Sequence, residues 1–230
     1  MHRKTSLLCC SCLVAVFFLW CTRAGAHDPK PTPENTIQIH LAEPVKPQPF
    51  PRPVKFFIGN VIDRSGNPQP LLVLKDRGGV FLDRQPTEIA REALMVSLHS
   101  ADALATDQDS ADLVVNIYLF KFGLAAGSGI DFFGKVEFTA VIKNPKTGES
   151  KEVKATGTSI AGRAVFKKNI QKNVQEDIGA ALSDALRNFL RGTALRDAVA
   201  ALTLPAAPSA AAASQPPPGF SPGLMRPRFR

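Results

Sequence analysis

The chain has 230 residues, 44% of them apolar and 21% charged, enough for one domain with tails. Its 28 Lys+Arg against 20 Asp+Glu give a net charge of +8, a mildly basic balance suited to weak attraction to anionic surfaces. All four cysteines (Cys9, Cys10, Cys12 and Cys21) fall in the first 21 residues, which excludes a disulfide framework for everything after them.

The start reads as an export signal. His2, Arg3 and Lys4 form a positive region, and an apolar run of 15 residues follows from Leu7 to Cys21. Ala24-Gly25-Ala26 then supplies a small-residue cleavage site, so residues 1–26 are predicted to be a secretory signal peptide. The run is shorter than the roughly 20 residues a spanning helix needs. The cysteine spacing lacks the paired knuckles of a structural zinc site. Cys21 is the alternative, a lipidation site, but the bulky Trp20 before it stands where small residues belong. Cleavage after Ala26 removes Arg3, Lys4 and Arg23, leaving 25 basic against 20 acidic residues, a net +5. Nucleic acid is not expected as a partner behind such a signal.

Residues 27–53 hold eight prolines and are predicted to be an extended linker, with "TIQIHL" (Thr36 to Leu41) as a short edge strand within it. The domain proper is expected at residues 54–192. "VKFFIGNVI" reads as a strand, "DRSGNP" as a turn, and "LLVLKDRGGVFLD" as a hairpin about Arg77-Gly78-Gly79. Pro86 then opens a helix whose apolar face is Ile89, Ala90, Ala93, Leu94, Leu98 and Ala101, with Glu88, Arg91, Glu92 and His99 on or near the wet side.

"LVVNIYLFKFGL" is nearly all apolar and predicts a central strand. "AAGSGIDFFG" reads as a glycine-rich connection. "KVEFTAVIK" alternates, with Val136, Phe138, Ala140 and Ile142 on one face, and "KEVKATGTSIAG" returns antiparallel to it.

The last helix is expected to start at an Asn173 cap and stop at Gly192. Val174, Ile178, Ala181, Leu182, Ala185, Leu186, Phe189 and Leu190 line one face. Burying its six large side chains contributes roughly 9–18 kcal/mol gross. Chain entropy offsets most of that, so the helix must lie on the sheet. Residues 193–230 are rich in alanine and proline and are expected to be a disordered tail. Together the elements predict an α+β domain: a mostly antiparallel sheet of about four to six strands with two amphipathic helices packed on one face.

This order of elements resembles the YajG-type envelope lipoproteins of Gram-negative bacteria. The likeness runs from Thr36 to Gly192 and is carried by Asp63-Arg64 after the first core strand, by "EIAREAL", and by "NVQEDIGAALSDAL". It implies an outer-membrane lipoprotein of undefined biochemical role, with no active site to carry over.

No cofactor or metal is expected. His27 at a new N-terminus, joined by His40 or His99, would make a copper brace, but a proline-rich segment cannot hold ligands rigidly. "GTSIA" about Ser159 imitates a nucleophile elbow, yet Ser159 lies in an alternating strand and the last histidine, His99, is far upstream. "GSGIDFFG" opens no helix and so lacks a phosphate-binding dipole. Asp63 is expected to fix the turn after the first strand through its side chain.

The candidates for surface contact are Phe132 and Phe133 on the glycine-rich connection, and a positive patch of Arg163, Lys167, Lys168 and Lys172 before the last helix. The expected function is a non-catalytic envelope protein of the periplasm or the periplasmic face of the outer membrane. It would act by binding an envelope protein or an anionic lipid or glycan surface, or by structural support. An accessory subunit of an envelope transport complex is the alternative, and a secreted enzyme the third reading.

Overall fold

The computed structural model describes residues 30–41, 43–66, 69–74, 78–126, 131–159, 163–164 and 169–203. Among the described residues, three helices and two sheets make an α+β fold. The strands are β1 (Thr36–Ile37), β2 (Phe56–Asp63), β3 (Leu72–Leu74), β4 (Gly78–Leu82), β5 (Leu113–Ala126), β6 (Asp131–Lys143), β7 (Ser150–Thr158) and β8 (Arg163–Ala164). The helices are α1 (Pro86–His99), α2 (Ile170–Arg191) and α3 (Thr193–Thr203).

The larger sheet runs β2-β5-β6-β7, with β8 adding to β6 beyond the end of β7. The smaller runs β1-β4-β3. Antiparallel pairs dominate, but β2–β5 and β1–β4 are parallel. The β2–β5 pair follows from the helix between them: a parallel neighbour needs a long crossover, and α1 supplies it. The near-continuous apolar run of β5 fits its place between β2 and β6.

One continuous core unites the large sheet with α1 and α2. Leu113, Val115, Ile117 and Leu119 of β5 face it, as do Val136, Phe138, Ala140 and Ile142 of β6 and Val153 and Ala155 of β7. All eight apolar residues expected on the last helix are buried. Phe138 meets Phe189 edge-on at 5.6 Å between ring centroids. The sheet and α2 come closest at two glycines. A Cβ on Gly134 would stand 2.9 Å from the Ile178 backbone nitrogen, and one on Gly157 2.8 Å from Ala185 Cα, with other backbone atoms nearer still.

Four expectations need correction. The last helix begins a turn earlier than the Asn173 cap: Asn169, at φ 83°, is its cap, and Asn173 N–H donates to Asn169 O inside the helix. Half-buried Ile170 is why, since it packs against the core and draws the first turn into helix. Ala101 is exposed because α1 ends at His99. The stop is a Schellman turn: Ala103 N–H donates to Leu98 O and Asp102 N–H to His99 O, with Asp102 left-handed at φ 51°.

The third correction concerns the tail. Its first eleven residues are α3, which buries Leu195, Ala198, Val199 and Leu202. That i, i+3, i+4, i+7 spacing is an amphipathic stripe, and alanine favours helix as readily as a loose tail. Asn144, in the turn after β6, donates to Leu202 O and holds the end of α3. Residues 204–230 of the expected tail lie outside the described residues, as do the signal peptide, Cys21 and the start of the linker.

The fourth concerns residues 30–53, which are a strap and not a spacer. Ile37, Ile39 and Val45 are buried. Val45 N–H donates to Ser97 Oγ on α1, Gln48 N–H to Leu190 O on α2, and Arg191 Nε to Lys46 O. Farther up, Gln171 donates to Glu34 O. The expected edge strand "TIQIHL" contributes β1, the rim of the small sheet, and then continues over both helices.

Candidate functional site

The structure disperses the residues singled out for surface contact. Phe132 and Phe133 lie in β6 and not on a loop. Strand alternation sends Phe132 inward, 4% exposed, and leaves Phe133 half-buried. Phe132 is therefore removed from the surface candidates. Arg163 pairs through its backbone with Phe132 as part of β8. Lys167 and Lys168 lie outside the described residues. Lys172 is exposed on the first turns of α2, with its ammonium 3.8 Å from Glu176.

Among the described residues, His40, His99 and Ser159 fall on three separate segments, and His27 lies outside them. His40, on the strap, faces Gln38 Oε1 at 3.3 Å, and His99 ends α1. Among the described residues, no three His, Cys, Asp or Glu side chains gather where they could hold a metal ion. No described helix is long and apolar enough to cross a membrane. Ser159 is buried, and its hydroxyl accepts from Gly134 N–H at 2.9 Å while its own N–H donates to Gly134 O. It ties the end of β7 to β6 where α2 crosses. Ser159→Ala is expected to cost about 1–2 kcal/mol in urea unfolding, because Gly134 N–H would be left buried without its acceptor. A loss under about 0.5 kcal/mol would remove this role.

Asp63 Oδ1 accepts from Ser65 N–H at 2.7 Å, the turn-fixing bond expected of it. The next residue, Arg64, lays its guanidinium 4.4 Å from the Tyr118 ring centroid on the outer face of the sheet.

A cleft at the β2 edge was not among the expected sites. Its volume is about 470 Å³. β2 bulges between Ile58 and Val61, which breaks its pairing with β5. Asn116 of β5 fills the break: its Oδ1 accepts from Asn60 N–H at 2.8 Å. Gly59 makes room, since a Cβ there would overlap the Asn116 amide. Arg91 reaches over from α1 and donates to Ile58 O at 3.2 Å and to Gly59 O. Gln108, from the loop before β5, and Lys143, at the end of β6, complete the polar lining. Phe57, Val114 and Pro145 supply apolar surface.

Among the described residues, no carboxylate lines this cleft. Asp107, next to Gln108 in sequence, is turned into its own loop, where Oδ1 accepts from Ser110 N–H and Oδ2 from the Thr106 hydroxyl. The Ser110 backbone bond, then the Thr106 hydroxyl, hold that carboxyl below its ordinary range. At the other end of the loop, Asp102 is lowered by its hydrogen bond to Lys55. Of the four acids in this loop, Asp102, Asp107 and Asp112, whose Oδ2 accepts from Lys55 N–H, are bonded elsewhere, and Asp109 is exposed and outside the cleft's lining.

No protein-family model matches the chain, and no curated protein matches it. Among solved structures it is similar to protein XCC0632 from Xanthomonas campestris, of the family model DUF330. The two are 12% identical over 73% of this chain and 99% of that one, with a TM-score of 0.54. It also matches the PelC dodecamer from Paraburkholderia phytofirmans, at 12% identity over 64% and 94% of the two chains and a TM-score of 0.30. The lipoprotein GNA1162 from Neisseria meningitidis matches at 12% identity over 59% and 99%, with a TM-score of 0.27. The last two superpose too loosely to carry an argument. What this chain shares with the Xanthomonas protein is the fold.

Proposed function

We propose that this chain is an exported, non-catalytic protein of the cell envelope that works by binding at the periplasmic face of the outer membrane. The observation that carries the binding half is the β2-edge cleft, where donors from four separate segments converge beside apolar surface. The location rests on the positive, apolar and small-residue order of residues 1–26. The resemblance of Thr36 to Gly192 to the YajG-type lipoproteins points the same way.

Fractionation of cells expressing the full chain tests the location. The protein is expected in the periplasm or with the outer membrane, and recovery from the cytoplasm would overturn the reading. Intact mass then distinguishes a start at His27 from a lipidated start at Cys21. Turnover of an envelope polymer by the purified protein would overturn the non-catalytic half.

A second reading, an accessory subunit of an envelope transport complex, draws on two exposed apolar side chains. Ile62 of β2 is 40% exposed and Phe120, at the β5 bulge, 44%. Such side chains suit a protein surface better than a headgroup. Crosslinking in intact cells separates the readings: a stoichiometric membrane-protein partner, lost on Phe120→Ser, favours the subunit.

A further inference from the structure

We infer that the β2-edge cleft is a binding site for a phosphate monoester group. The inference rests on the binding half of the proposed function and names its ligand class. It does not depend on where the protein resides.

The charge of the cleft sets the class. Arg91 and Lys143 contribute two positive charges, and neither has a carboxylate partner among the described residues. Two unneutralised cations on one small concave surface match a dianion better than a singly charged carboxylate. A phosphate monoester is such a dianion near neutral pH, and it offers three acceptor oxygens.

The donors fit as well. A guanidinium has five N–H groups, and Arg91 commits one each to Ile58 O and Gly59 O. Those bonds lock the guanidinium in place and leave further N–H groups for a ligand. The Asn116 amide has its orientation settled by chemistry: the Asn60 N–H needs an acceptor, so Oδ1 faces it and the Nδ2 donors are left over. Gln108 adds a side-chain amide, and Lys143 three ammonium donors. Phe57, Val114 and Pro145 give the body of an ester something to rest on. Arg91, Asn116 and Lys143 are on a helix and strands, and among these donors only Gln108 is on a loop, so the site is largely formed before any ligand arrives.

The same chemistry has two sources, a soluble phosphate ester and a phosphatidic-acid headgroup. The experiment uses the full chain and three probes: inorganic phosphate, glycerol 3-phosphate, and phosphatidylcholine vesicles with or without phosphatidic acid. Amide NMR follows the soluble probes, and co-sedimentation follows the vesicles. Saturable shifts at Asn60 and Gln108 are expected with glycerol 3-phosphate. Lys143→Met should weaken binding at least about tenfold, the equivalent of one lost charge-assisted contact, and Lys143→Glu should abolish it.

Lys143 is exposed at a strand end, so both variants keep the fold even if Arg91→Met does not. Sedimentation with phosphatidic-acid vesicles that vanishes in Lys143→Glu assigns the headgroup as the source. Soluble binding without sedimentation assigns a free ester. Binding unchanged in Lys143→Glu, or no saturable binding of any probe, overturns the site. Loss of phosphate binding in a protein that still fractionates with the envelope would leave the location standing and discard the ligand class alone.

Discussion

Replacing Gly157 by alanine is expected to destabilise the protein by at least about 3 kcal/mol, though the change adds one methyl group. In a domain of this size that lowers Tm by roughly 6–12 °C. Gly157 lies in β7 with its core side against α2, where the new Cβ would stand 2.8 Å from Ala185 Cα and nearer to the Ala181 carbonyl oxygen. Both obstacles are helix backbone, which cannot rotate away as a side chain can. Ala181 and Ala185 are themselves fully buried, so the helix has already brought its smallest residues to this crossing. Relief requires α2 to lift from the sheet, opening gaps around Phe189, Ile178 and Leu182.

Gly148→Ala is the control. Gly148 has φ 78° in an open turn with nothing near its would-be Cβ, so only backbone strain opposes the change, at about 1 kcal/mol. Without the collision, alanine at Gly157 would slightly stabilise by restricting the unfolded chain. A Gly157→Ala protein with Tm equal to or above wild type would therefore refute the close approach, and thermal unfolding followed by circular dichroism decides it.

These glycines show where reading the sequence stops. The stripe of α2 and the alternation of β6 follow from period alone, and both stand as read, because a helix or strand that buries one face must write that face into its own residues. Gly134 and Gly157 carry no such period. Their meaning depends on which helix crosses which strand, and so "GSGIDFFG" and "GTSIA" look like loop and motif fragments until α2 is in place.

The cleft is hidden for the same reason. Its polar members, Asn60, Arg91, Gln108, Asn116 and Lys143, span 84 residues and five segments. Arg91 reads as a wet-side helix residue and Asn116 as a blemish in an apolar strand. Asn116 was the available signal: a polar side chain inside an otherwise apolar central strand needs a partner, and here the partner is a bulge in β2. The parallel β2–β5 pair was legible in principle, since a strand, a helix and a strand favour a crossover.

Ile39→Ala is the second change with a large effect, expected at about 2–4 kcal/mol in urea unfolding. Composition alone points the other way. Proline at such density reads as an extended spacer, and in a spacer the substitution would fall within about 0.5 kcal/mol of neutral. But Ile39 is 1% exposed, and it lines one small cavity together with Ile89 and Ala93 of α1 and Leu182 of α2. Truncating it leaves a void between two helices that are pinned to the sheet and cannot collapse on it. Gln38→Ala, one residue away and exposed, should be silent.

The pair of results would fix the position of the chain's start. If Cys21 carries lipid, a free linker would leave 33 residues from the anchor to Val54, a reach of up to about 115 Å. A strap that is fast by Ile37 leaves 16 residues, about 55 Å at full extension. Equal stability of Ile39→Ala and wild type would restore the longer tether. The expected loss instead ties α1 and α2 to the segment nearest the anchor, and limits how far the β2-edge cleft can stand from the membrane.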